Sequence, residues 1–152
     1  MRNVFSVSVF LVHSGNVLLC HHKRFDMWLP VGGEIEPNET PKQAAIREVV
    51  EETGTRLFDS DFFHIKPYSP GEPFGFMGYD EHDAGVKEGI ATRHLNFSFC
   101  ARARSNNVRV CDEHHALEWF DPVRVLNQVP VRTTPNVLDN LRQLQDYFQR
   151  SG

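Results

Sequence analysis

Residues 5–13, FSVSVFLVH, alternate apolar and polar positions and then run apolar, with β-branched and aromatic types predominating, which predicts a strand. Ser14-Gly15-Asn16 supplies turn residues, and 17–23, VLLCHHK, predicts the returning strand. The pattern then breaks: 28–39, WLPVGGEIEPNE, carries Pro30, Pro37 and the pair Gly32-Gly33, and reads as loop. From Thr40 the period becomes helical. Thr40 is an N-cap, Pro41 suits the first turn, and Gln43 completes a capping box. The helix runs through AAIREVVEET and stops at Gly54, a residue suited to a left-handed terminus. Ala44, Ala45, Ile46, Val49 and Val50 supply its packing surface.

Farther on, 62–66 (FFHIK) predicts a short strand, and 67–91 reads as a long glycine- and proline-rich connection of the kind that is functional or mobile. Residues 92–103 alternate as a strand with Leu95, Phe97 and Phe99 on one side. Short strands are predicted at 108–111 and 115–120. Asp121-Pro122 and Thr134-Pro135 each open a helix, the last with Leu138, Leu141, Leu144 (or Gln145) and Phe148 at core spacing. There is no internal repeat. The pattern predicts a single domain over 1–152 of α/β (α+β) class, with a mixed sheet between helices.

Composition narrows the function. A chain of 152 residues with net charge −4 carries no broad basic surface for nucleic acid or an anionic membrane, and no segment is long enough to span a bilayer. A polyanionic substrate must be held locally, by a metal or a few basic residues. Cys20, Cys100 and Cys111 are odd in number and far apart, which suggests neither a disulfide framework nor a zinc knuckle and favours a reduced, cytoplasmic setting. The apolar part of the N-terminus is short, interrupted by Ser6 and Ser8, and lacks a small-residue cleavage site, so a strand explains it better than a signal peptide.

One stretch works against its own helix. Glu48, Glu51 and Glu52 share a face at i, i+3 and i+4, near the C-terminal end where the dipole disfavours negative charge. Each like-charge pair costs roughly 0.2–0.5 kcal/mol. A hard divalent cation, which prefers carboxylate oxygens and retains waters for substrate phosphates, turns that repulsion into attraction.

The carboxylates lie in register with residues upstream. In GGEIEPNETPKQAAIREVVEETGT, Gly33, Glu39, Arg47, Glu48, Val49, Glu51, Glu52 and Gly54 resemble the signature of the Nudix (MutT-like) hydrolase family. Thr55 departs from it where the family prefers an aliphatic residue. The resemblance covers about 23 residues. It implies the family's α–β–α sandwich and metal-dependent hydrolysis of the pyrophosphate linkage in a nucleoside diphosphate joined to another moiety, whether a nucleotide sugar, an ADP-ribose-like compound or a nucleoside triphosphate. It implies Mg²⁺, or Mn²⁺ in its place. By the same resemblance Glu51 and Glu52 bind metal, Glu48 binds metal or acts as base, and the Gly32 carbonyl adds a ligand. Arg47 holds a glutamate in place, and Glu39 orients others. The loop containing Gly33 wraps the phosphates. Many members recruit a further acid from a downstream loop, for which Glu113, then Asp112, is best placed.

The substrate is less legible. Lys23 and Arg24 precede the glycine loop and could meet phosphates, against their ordinary reading as surface bases. Phe25, Trp28, Phe74, Phe76 and Tyr79 are candidates for stacking a base, although aromatics are more often core. A homodimer is left open. The alternative to an enzyme is a non-catalytic nucleotide-binding or sensor domain; sensors typically lose glutamates that this chain keeps. Isopentenyl-diphosphate-isomerase-like chemistry ranks last, because none of the three cysteines is convincingly placed in the sequence.

Overall fold

The computed structural model describes residues 1–112, 114–127 and 132–151, without the side chain of His115. In chain order the elements are β1 (Arg2–His13), β2 (Asn16–His22), β3 (Met27–Leu29), β4 (Val31–Glu34), α1 (Pro41–Thr53), β5 (Phe76–Lys87), β6 (Ile90–Arg102), β7 (His114–Phe120), α2 (Pro122–Asn127) and α3 (Pro135–Ser151). The strands form one mixed sheet in the order β3-β2-β1-β6-β5, with β4 also on β1 and β7 on β2.

β1 is its centre, because alternate residues face opposite sides of a sheet and both sets here are apolar. Val7, Val9 and Leu11 pack with Ala44, Ala45 and Val49 of α1, while Phe10 and Val12 pack with Val137, Leu141 and Leu144 of α3. The helices thus lie on both faces, as the α–β–α expectation requires. β1 runs parallel to β6 from Arg2 to Val12. Its other edge is shared, with Ser6–Val9 paired to β4 and Val12–His13 turning into β2. This sharing places Gly32 and Gly33 of β4 beside α1.

α1 begins and ends as its residues require. Thr40 Oγ1 accepts from the Gln43 N–H at 3.1 Å, and Gln43 Oε1 accepts from the Thr40 N–H at 2.9 Å. Such caps are worth about 1 kcal/mol. Gly54 closes the helix at φ 78°, and a Cβ there would also lie 2.6 Å from the Arg109 guanidinium.

Four expectations are corrected. Segment 28–39 is not all loop: the end of β3 and all of β4 lie within it, separated by Pro30, because β2 and β1 offer them edges. Segment 62–66 makes only a single bridge, Phe62 to Ala101; its apolar residues divide between the two cores instead. The connection 67–91 contains all of β5 and the start of β6, with which β5 pairs antiparallel. Its glycines and the run Asp80–Asp83 obscured it, yet a charged strand paired on one side suits a sheet edge. Segment 108–111 is coil, held to α1 by the Arg109 N–H donating to Thr53 O at 2.9 Å.

Candidate active site

Arg47 organises the acid face of α1. Its Nε donates to Glu39 Oε2 at 2.7 Å and its Nη2 to Glu39 Oε1 at 2.9 Å. Nη1 donates to Glu48 Oε1 at 2.8 Å and to Glu51 Oε2 at 3.2 Å, and Nη2 also reaches the Glu34 carbonyl at 3.0 Å. Only the forked guanidinium can serve so many acceptors at once. The paired bonds from Arg47 are the largest influence on Glu39 and hold its carboxyl below its ordinary range; they likewise raise the affinity of Arg47 for its proton.

Glu52 is held differently. Its side chain is buried, Oε2 accepts from the Gly32 N–H at 2.9 Å, and Oε1 lies 3.0 Å from His114 Nε2 in an ion-pair contact. On the other side of that buried ring, Nδ1 is 3.4 Å from Cys111 Sγ. Glycine is needed at both adjacent positions of β4. A Cβ on Gly32 would strike the Val7 carbonyl, and one on Gly33 would strike the Glu48 carboxylate. The helix acids and the β4 backbone therefore share a space that only bare backbone can enter.

Glu48 shows the cost of the clustering. Burial, then the charge of Glu52, pushes its carboxyl up to about 8 against the opposing pull of Arg47. The cluster is thus short of positive charge, and a donor set of carboxylate and carbonyl oxygens suits a hard divalent cation. Glu48, Glu51, Glu52 and the Gly32 carbonyl are the groups whose chemistry fits. Among the described residues, no three His, Cys, Asp or Glu side chains are already gathered around one point.

A cavity of about 1080 Å³ joins these groups to the rest of the molecule. Gly32, Gly33, Glu48, Glu51, Glu52, Lys23, Arg24 and Asp112 all line it. Arg24 spends its guanidinium on the carbonyls of Ala84 and Val86, at 3.1 and 2.6 Å, and so ties the β2–β3 turn to β5. Trp28 is not brought in: it stacks on His21 at 5.1 Å and packs edge-on to Phe120 at 5.2 Å. Of the aromatic candidates only Phe25 lines the cavity. Glu113 lies outside the described residues.

Other lining residues have no role assigned from the sequence. Asp80 and His82 come from β5, His94 and Asn96 from β6, and Asn136 from α3. Burial, then the neighbouring His82, lowers His94 to about 4, so its ring is neutral at physiological pH. The alternation of YDEHD was the available signal, hidden by the surrounding glycines.

Residues 2–140 match the family model described as NUDIX domain. An octanoyltransferase from Myxococcus xanthus is 32% identical over 110 residues, which is 71% of this chain but 26% of that protein. A putative 8-oxo-dGTP diphosphatase from Bacillus subtilis (strain 168) is 39% identical over 46 residues, 30% of this chain and 31% of the relative. The matches thus span only about a quarter to a third of these curated relatives. Among solved structures, a NUDIX-family hydrolase from Clostridium perfringens superposes with a TM-score of 0.68 at 23% identity, covering 100% of both chains. Among the described residues no helix is long and apolar enough to cross a membrane.

Proposed function

The chain belongs to the Nudix hydrolase family, and on that footing we propose that it hydrolyses the pyrophosphate linkage of a nucleoside diphosphate joined to another moiety. Candidate substrates are nucleotide sugars, ADP-ribose-like compounds and nucleoside triphosphates, with Mg²⁺ as the ion and Mn²⁺ as a substitute. The observation that carries this is the grouping of Glu48, Glu51 and Glu52 on α1, interlocked with Arg47 and with the Gly32 N–H, at the wall of one large cavity.

The roles proposed are those the family resemblance implies for these residues. Glu48, Glu51, Glu52 and the Gly32 carbonyl would hold the ion, which would supply positive charge to the diphosphate and acidify a water when bound. Arg47 and Glu39 fix the acids, and bare backbone at Gly33 lets phosphate oxygens approach. A carboxylate of the set, with Glu48 foremost, takes the proton of the attacking water. Asp112 or Glu113 is the further acid. Lys23 remains the basic group for a terminal phosphate, since Arg24 is engaged with β5. We read 1–152 as one domain, and its three cysteines, odd in number and far apart in the chain, suit the cytoplasm.

Incubation with nucleoside triphosphates, nucleoside diphosphate sugars and ADP-ribose, with Mg²⁺ or Mn²⁺, is expected to release a nucleoside monophosphate from at least one, and Glu52→Gln to abolish it. A folded protein that turns over none of them, and binds nucleotide equally well as wild type and Glu52→Gln, is instead a sensor.

A further inference from the structure

The cavity wall contributed by β5, β6 and α3 carries a carboxylate of its own. Asn96 Nδ2 donates to Asp80 Oδ1 at 3.1 Å, Asn136 Nδ2 donates to Asp80 Oδ2 at 2.8 Å, and His82 Nδ1 lies 2.7 Å from Oδ2. Behind them, Ser6 and Ser8 hydroxyls donate to Asn96 Oδ1 at 2.9 and 3.3 Å, which fixes the amide with its NH₂ group toward Asp80. Two strands beyond its own and the last helix thus converge on one acid. Burial alone would push Asp80 up, but the combined bonds from His82, Asn96 and Asn136 outweigh it and hold the group below its ordinary range. It is an anion at neutral pH, with its side chain 22% exposed.

A fixed anion in the lining of the cavity disfavours a polyanionic substrate, since like charges repel, more strongly near protein than in water. Something must favour it. An ionised carboxylate only accepts, and has about four acceptor positions; three contacts are described here. Asn136, having given its N–H to Asp80, adds a carbonyl oxygen as a second acceptor. Met27 and Leu29, both half-buried, line the same cavity and offer apolar surface for a flat ring. The wall therefore asks for a planar ligand with N–H donors on its edge.

Resting on the nucleotide reading above, we propose that Asp80, presented by Asn96 and Asn136, reads the nucleobase and selects bases bearing an exocyclic amine over uracil and thymine. Adenine, cytosine and guanine present amine donors. Uracil and thymine present one ring N–H flanked by two carbonyl oxygens, which the carboxylate repels. The same network also pins α3 to β5, so a structural role has to be separated from a selective one.

The test measures kcat/KM for ATP, CTP, GTP, UTP and dTTP, together with ADP-, GDP- and UDP-sugars, in wild type, Asp80→Asn and Asn136→Ala. Calorimetric binding of AMP, CMP, GMP and UMP without added metal runs in parallel. Wild type is expected to favour amine-bearing bases by tenfold or more, in kcat/KM or in monophosphate affinity. Asp80→Asn is expected to erase most of that preference, and Asn136→Ala part of it. Selective monophosphate binding without hydrolysis of any compound upholds this inference while refuting the hydrolase. Equal or better use of uridine and thymidine compounds by wild type overturns it. So does an Asp80→Asn variant that melts lower and slows every substrate in the same proportion. Absence of both binding and turnover for all bases overturns it as well.

Discussion

Arg47 grips Glu39 through two parallel hydrogen bonds, Nε to Oε2 at 2.7 Å and Nη2 to Oε1 at 2.9 Å, eight residues back along the chain. The same guanidinium reaches Glu48, so the position of a helix acid depends on a residue that precedes the helix. A lysine keeps the charge but cannot fork. Arg47→Lys is expected to lower kcat/KM by about 10–100-fold, the usual scale for groups that orient metal-binding side chains. Glu39→Gln should fall in the same direction by less. Steady-state kinetics beside a melting curve would check this, and full activity in Arg47→Lys would refute the positioning role.

The raised Glu48 carboxyl gives stability a pH dependence with a definite sign. Its folded value, about 8, lies above the ordinary one, so folding favours the protonated form. The contribution is complete below the ordinary carboxylate range and is lost as pH rises through about 8. Metal-free protein is therefore expected to be more stable at pH 6 than at pH 9, by on the order of 2 kcal/mol, after discounting for relaxation. That corresponds to a melting temperature about 4–8 °C higher at the lower pH. Glu48→Gln should flatten the Glu48 share of this slope, and added Mg²⁺ should recover stability at pH 9. A slope unchanged in Glu48→Gln would mean that another group sets it.

The two glycines of β4 are expected to fail in different ways. A Cβ at Gly33 meets the movable carboxylate of Glu48, whereas one at Gly32 meets the backbone carbonyl of Val7 in β1. Gly33→Ala should displace the acid and cost activity by roughly 10–100-fold with little change in melting. Gly32→Ala should separate two paired strands and destabilise by about 1–3 kcal/mol. Parallel measurement of turnover and melting separates these outcomes; a Gly33→Ala protein that is fully active, or a Gly32→Ala protein as stable as wild type, would contradict the assignment.

The parts legible in the sequence are those whose physics is local. α1 announces itself through Thr40, Pro41, Gln43 and Gly54, and the structure bears out its start and its stop. The membership in the Nudix family was likewise readable from Gly33 through Gly54. What escaped depends on partners far along the chain. β4 is a strand because Ser6–Val9 of β1 present an edge to it, which nothing in VGGE foretells. β5 is a strand because β6 lies beside it, although its own residues are polar and glycine-rich. Its Asp80 gathers bonds from Asn96 and Asn136, 16 and 56 residues away. His114 carries no sequence signal of its own, yet it is buried against Glu52, 62 positions earlier in the chain. Trp28 misled for the same reason: its neighbours His21 and Phe120 draw it away from the cavity.

Glu48, Glu51 and Glu52 come from one uninterrupted stretch of chain, while Asp80, Asn96 and Asn136 come from three separate elements. A contiguous stretch is inherited or exchanged as a block; a wall assembled from scattered positions changes one residue at a time. On this architecture the acid cluster of α1 would resist piecemeal drift, since its members are interlocked through Arg47 and Gly32. The wall from β5, β6 and α3 can be altered stepwise without changing α1. Descendants of such a chain would diverge first in what they admit and last in what they do to it.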